Sequence, residues 1–426
     1  MPFNNPTPTT RRRFLASFLS LAAAPAEGFS LFGKKRIREF GKIYEYLQDV
    51  TLRIKETGNK RIAIKNAIFS NEKFNGEWGF FDFADCDFSS QYNINLDWLS
   101  NCTFTNCSFN GIFGFGGVEN TRFLRCSVKG ESILSLDEDT LDTTVFEQCS
   151  FVNTLRDRNH VGAIMCHGEI LFIDCKAEWF ALKGNKKLTL RRCITISAEL
   201  DTAASGLYRD KSKMPYSDFL LEDCDFSRGV SATNLKLNNF IMRDCKVGFL
   251  ESAGSTARGD VLIENIKQGH LDLSASDFQG TLTIKNCSFF TSYDGYSFNC
   301  PGILAAYTLI ENIVCGYHPA NISGAPDDMA EKDRLPKTRN KSLIVRNCNI
   351  PHLHVDWAQT EHLRIENCKC DTLLIRNGRI GKLEIIDCSL KKLDVSNTQV
   401  QEQDVRVPKG CDTIATGSNL KWSPRE

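Results

Sequence analysis

Two groups of side chains in this chain have the chemistry to act on another molecule. One is a mixture of tyrosines and cations: Tyr208, Arg209, Lys211, Lys213 and Tyr216 within AASGLYRDKSKMPYSD, then Tyr293, Tyr296, Tyr307 and Tyr317. Aromatic rings beside cations anchor many protein interfaces and sugar-binding surfaces, because a flat apolar face and a charged donor act together. The other is His352, His354 and His362, imidazoles of the kind that ligate metals. Two further stretches offer less. GIFGFGG (Gly111–Gly117) has no Lys-Ser/Thr after it, as a phosphate cradle requires. SLDEDTLD, around Asp137–Asp139, lacks the glycine and alternating oxygen ligands of a calcium loop.

What must position these groups is a repeat. From Leu343 to Glu402 the chain divides into blocks of five: LIVRN CNIPH LHVDW AQTEH LRIEN CKCDT LLIRN GRIGK LEIID CSLKK LDVSN TQVQE. The third residue of nearly every block is aliphatic. The first alternates between Leu and a small residue: Cys348, Ala358, Cys368, Gly378, Cys388, Thr398. Cys348, Cys368 and Cys388 add a second period of 20, and a long period nested on a short one marks a solenoid. Looser copies reach back through FLLED CDFSR, LTLRR CITIS and FDFAD CDFSS to Ile62. An inward residue every fifth place cannot be an amphipathic helix, which needs spacings of three and four. Short β-branched runs closed by Asn, Asp or Gly suit strands and turns. Asn106, Asp174, Asp223, Asp244, Asn286, Asn347, Asn367 and Asp387 each precede a Cys. Asn and Asp tolerate left-handed or bridge conformations, so a corner ladder of side chains bonded from coil to coil is expected. Glu222, Arg243, Glu264 and Lys285 recur at steps of 21 with alternating sign, which predicts a stacked ion-pair ladder.

These blocks resemble the pentapeptide-repeat proteins, whose consensus is A-(D/N)-L-x-x. The resemblance covers most of residues 62–402 and is strongest over 343–402. It implies an all-β, right-handed parallel β-helix solenoid with four blocks, about 20 residues, per coil. It also implies an inward set that includes Val345, Ile350, Val355, Ile365, Ile375, Ile380, Ile385 and Leu390 with Cys348, Cys368 and Cys388. One departure from the family pattern stands out: every second block begins with Leu, Phe or Ile, so two faces of the coil carry bulkier side chains.

Outside the repeat, TRRRFLA fits a twin-arginine export signal built on Arg11 and Arg12, except for its final Ala. The apolar stretch Phe14–Ala24 and the small-residue site Ala24-Pro25-Ala26 follow in the expected order. The apolar run is too short to anchor stably in a membrane. Residues 1–26 therefore read as a signal peptide of a bacterial export route, and its removal would take three arginines with it. Residues 27–60 read as an amphipathic capping helix, with Ile37, Phe40, Ile43, Tyr44, Leu47 and Leu52 on one side; a solenoid end needs such a cap. Residues 61–402 are the solenoid, with insertions near 154–162, 203–218 and 292–342, and 403–426 a C-terminal cap or tail.

The 18 cysteines would suggest disulfides in an exported chain, but twelve of them fall at one inward block position, where Cys serves as a small hydrophobe. Half a coil separates His352 from His362, which leaves no complete metal site, and no cofactor is expected. Equal numbers of acidic and basic residues, 52 each, count against nucleic acid as a partner. The expected function is that of a non-catalytic, rigid interaction scaffold of periplasmic or secreted location, with a cytoplasmic location as the alternative. Its partner would be a protein or a surface polysaccharide, and a homodimer through a solenoid end would suit the shape. Two other readings stay open: a carbohydrate-active β-helix enzyme of the lyase or glycosidase type, and a secreted effector that binds a host or competitor protein. Binding is expected in the insertions, where loops leave a rigid frame.

Overall fold

The computed structural model describes residues 61–70, 77–89, 94–96, 98–111, 113–115, 118–129, 134–136, 144–152, 163–166, 169–183, 186–201, 216–267, 269–292, 295–324 and 339–424. The expected signal peptide, the capping helix, the insertion at 154–162 and residues 203–215 lie outside them, whereas most of 292–342 is described and contributes the solenoid strand Leu304–Glu311. The described residues form a parallel β-solenoid. Their strands make an 18-stranded sheet, a 21-stranded sheet and two small ones, and neighbouring strands run parallel from the first pairing, Ile62 with Phe81, to the last, Arg406 with Ser423. One coil takes 21 residues in the middle of the rod and 20 near the C-terminus. The strand Gln399–Val407 continues the ladder beyond residue 402, so the last segment is built onto the sheet.

Burial alternates along each strand. In Ser217–Glu222 the side chains of Ser217, Phe219 and Leu221 point inward while Asp218, Leu220 and Glu222 point out. The interior is a set of columns of like residues. Phe83, Phe104, Phe123, Phe146 and Phe172 stack face to face, with ring centroids 4.9, 4.8, 4.6 and 5.0 Å apart. This accounts for the abundance of Phe in the N-terminal half; the same column continues as Leu190, Leu221, Met242, Ile263 and Ile284. Offset aromatic stacking adds about 0.5–1.5 kcal/mol per pair beyond simple burial.

The Cys column is a packing element, as expected. Cys86, Cys107, Cys126, Cys149, Cys175, Cys193, Cys224, Cys245, Cys287, Cys348, Cys368 and Cys388 are all buried free thiols. Each thiol donates to the carbonyl two residues back, as in Cys86 to Ala84 (3.3 Å) and Cys368 to Glu366 (3.2 Å). Ala67, Ile266 and Ile313 occupy the same place in other coils and are also buried.

The residue before that column is left-handed in every described coil from Asn66 to Asp387. The eight Asn and Asp positions expected there have φ between 50° and 56°. Arg125, Gln148 and Arg192 adopt the same conformation, although nothing in a long flexible side chain favours it. The corner ladder forms in segments: Asn106 donates to Asp85 (3.2 Å), Arg125 to Asn106 (2.8 Å), Asn265 to Asp244 (2.7 Å) and Asn367 to Asn347 (2.8 Å).

Candidate functional site

The four described residues of the expected aromatic surface are divided between the two large sheets. Tyr208, Arg209, Lys211, Lys213 and Tyr293 lie outside the described residues, as do Arg11, Arg12, Ala24 and Ala26. Tyr216 is half-buried at the start of its strand, with the Arg258 guanidinium 3.7 Å from its ring centroid. That contact ties the start of the strand Ser217–Glu222 to the coil after next. Tyr307 is 54% exposed on the outer face of the 18-stranded sheet. Tyr296 and Tyr317 sit beside the other large sheet, edge-on to His354 and His352 at 6.1 and 6.2 Å. His352 and His354 share the strand His352–His354, whereas His362 belongs to the opposite sheet. Burial pushes the His354 imidazole down, with Asp356 opposing the shift.

A different place on the rod gathers polar groups. Where strands of the 18-stranded sheet bend, a trough of about 1120 Å³ runs along successive coils from Asp277 to Asn419. The bend arises because two consecutive residues point outward. In Gln359–Glu366, Thr360 is inward, Glu361 and His362 face out, and Leu363 turns inward again. Gly381 sits at this bend because a Cβ there would lie 2.5 Å from the carbonyl oxygen of Glu361.

Stacked coils turn single residues into columns along the trough. Arg339, Gln359, Arg379 and Gln399 form one and Lys341, Glu361, Gly381 and Gln401 another. Arg339, Lys341, Gln359, Glu361, Arg379 and Gln401 line the trough without a side-chain partner among the described residues. Sequence reasoning missed these residues. Their signal is the 20-residue step from Arg339 to Gln399, which shows only when outward positions, and not just inward ones, are read as columns.

At the trough's flank lies a cluster of charge. The buried Glu384 carboxylate meets His362 Nε2 at 2.5 Å, Lys382 Nζ at 3.0 Å and an Arg364 guanidinium nitrogen at 3.5 Å. Burial opposes its ionisation, but the bonds from Lys382 and His362 outweigh it and hold the carboxyl below its usual range. Glu366 is likewise held low, chiefly by its bond to Arg364.

The expected charge ladder is present and longer than the four residues that predicted it. One outward column reads Arg191, Glu222, Arg243, Glu264, Lys285, Glu311, Arg346, Glu366, alternating without exception. Arg191 reaches Glu222 at 2.5 Å, Lys285 reaches Glu264 at 2.9 Å, Arg346 reaches Glu311 at 2.7 Å, and Arg243 pairs with Glu222. Ile173 and Ile386 bound the column. Two residues earlier on the same strands runs a partly exposed column that includes Leu171, Leu220, Ile241, Leu262, Leu309 and Ile344.

A scan against protein-family models, a search of curated proteins and a search of solved structures each returned no match to this chain.

Proposed function

We propose that this protein is a non-catalytic, pentapeptide-repeat-like rod that is exported and holds a surface polysaccharide along the bend of its 18-stranded sheet. The observation that carries the reading is the trough, with six polar side chains that have no side-chain partner among the described residues. A rigid column of donors with one rung per coil suits an extended, repetitive ligand better than a compact one. Three of the six are cations and one is a carboxylate, which favours a polymer carrying some negative charge.

Against a glycosidase or lyase stands the condition of the flanking carboxylates. A general acid needs its pKa raised, and Glu384 and Glu366 are both shifted down by cations. Export rests on the order of the twin-arginine pair, apolar stretch and Ala24-Pro25-Ala26 site.

The test is binding of polygalacturonate and of neutral xylan to the wild type and to the Arg339→Ala/Arg379→Ala variant, by titration calorimetry. Loss of two charged hydrogen bonds, each contributing about 1.5–3 kcal/mol, predicts at least about tenfold weaker polygalacturonate binding. Unchanged affinity in the variant, or failure of the wild type to bind either polymer, would remove the trough as the site. Shortening of the polymer during incubation would make the protein an enzyme. Intact mass of periplasmic protein tests export: a chain beginning near Glu27 supports it, and uncleaved cytoplasmic protein refutes it.

A further inference from the structure

We propose that two copies of this chain pack side by side through the outer face of the 18-stranded sheet, antiparallel, about a two-fold axis that passes between the Glu264 and Lys285 rungs. This pairing uses the straight face beside the bend and is independent of the polysaccharide reading.

Parity decides which charges meet. The ladder from Arg191 to Glu366 has eight members of alternating sign. A two-fold axis lying in the face and along the strand direction reverses the order of rungs but keeps each column over its own copy. The first member then meets the last, the second meets the seventh, and so on. In an even, alternating series these partners always have opposite sign; in an odd one they would always match. Arg243 therefore faces Glu311 of the second copy and Glu264 faces Lys285, each contact occurring twice, as an isologous interface requires. Sliding the pair by one rung brings like charges together and costs affinity, so the ladder also fixes register.

The apolar column obeys the same operation. With the charges matched, Leu220 lies over Ile344, and Ile241 over Leu309. All four are outward-facing and partly exposed. Tyr307, 54% exposed on the same face, comes opposite Asn239, a side chain able to bond its hydroxyl. An aliphatic stripe on the outside of a sheet is the kind of surface that covers itself in an assembly.

Size is sufficient. Eight rungs at about 4.8 Å and three outward columns give roughly 700 Å² from each copy. The total of about 1,400 Å² falls within the range of stable, specific interfaces.

Sedimentation equilibrium of the full chain across micromolar concentrations tests this, with circular dichroism as a check on folding. A dimer is expected for the wild type. Ile241→Asp and Leu309→Asp, each placed on the outer face, should weaken it at least tenfold while leaving the spectrum unchanged. Glu311→Lys should do the same by setting a second cation against Arg243 of the other copy. The double variant Arg243→Glu/Glu311→Lys should restore the dimer, although within one copy it puts a third carboxylate between Glu222 and Glu264 and can only worsen the ladder. A wild type that is monomeric throughout, a dimer that survives both Asp substitutions (an end-to-end pairing among them), or a double variant weaker than the single one would each overturn the proposal.

Discussion

At the residue scale the solenoid depends on a left-handed residue followed by a small inward one. Asn367 (φ 50°) and Cys368 show the pair: the backbone turns, the thiol fills the space inside the corner, and the amide bonds Asn347 one coil back at 2.8 Å. Ala at 367 would keep the left-handed φ at a cost of about 1–2 kcal/mol and lose the amide bond; Gly would lose only the bond. Urea titration should therefore rank stability as wild type, Asn367→Gly, Asn367→Ala, and equal losses for the two variants would count against conformational strain as the cause. The thiols set an upper pH limit. Burial pushes Cys102, Cys287 and Cys315 up to about 12 from 9.0. Between those values the unfolded chain loses protons that the fold retains, so stability is full below pH 9 and falls as pH rises toward 12. Thermal melting over that range checks the sign. The Asn and Asp corners were legible because their side chains favour this conformation. Arg125, Gln148 and Arg192 were not, since their φ is imposed by the coils on either side; Arg192 is compensated by two bonds to Asp174 at 2.7 and 2.9 Å.

At the element scale the alternation of small and large block-leading residues has a structural cause. Corners at Trp357, Asn367, Asn377 and Asn397 are left-handed, and the residue that follows each is Ala358, Cys368, Gly378 or Thr398, close beneath the turn. The corners between them are β-bends inside continuous strands such as Gln359–Glu366 and Arg379–Ile386. These leave more room, and Leu363 and Leu383 fill it. The sequence displayed the ten-residue alternation plainly, but not that half of the corners would be bends, nor that the bend would shape a trough. The ladder on the outer face yields an acid prediction. Burial opposes ionisation of Glu222, but the Arg243 and Arg191 guanidiniums on either side carry its carboxyl below the ordinary value of 4.5. A depressed folded pKa means the stabilisation is complete above pH 4.5 and is lost as pH falls through the folded value. Glu222→Gln should lower stability at neutral pH and flatten its decline between pH 4.5 and 2, read from urea midpoints. A decline as steep as that of the wild type would show that Glu222 does not carry it.

For the whole molecule, the repeat makes length adjustable in units of one coil, because each coil contacts chiefly its neighbours. Deleting Cys368–Asp387 joins Asn367 to Cys388 and keeps a left-handed residue before an inward thiol. The strand Gln359–Glu366 would then lie against Gln399–Val407. In that register His362 meets Glu402, Arg364 meets Asp404 and Glu366 meets Arg406, all of opposite or complementary charge. The deletion costs the Asp356–Arg376 pair, 2.6 Å long, and leaves Asp356 beside Ser396. Deleting only Cys368–Asn377 shifts the remainder by half a turn, so that strands of one large sheet must pair with strands of the other and the buried Glu384 loses His362. The full-coil deletion should retain a β-type circular dichroism spectrum and a cooperative melt a few degrees below that of the wild type, on the order of the 2–4 °C per kcal/mol expected for domains of 150–250 residues. The half-coil deletion should melt broadly and far lower. Because the ladder from Arg191 to Glu366 is untouched while Arg379 leaves the trough, the shortened rod should also pair with a second copy as before yet bind polysaccharide more weakly. If the two deletions melt alike, the 20-residue coil is not the unit of this fold.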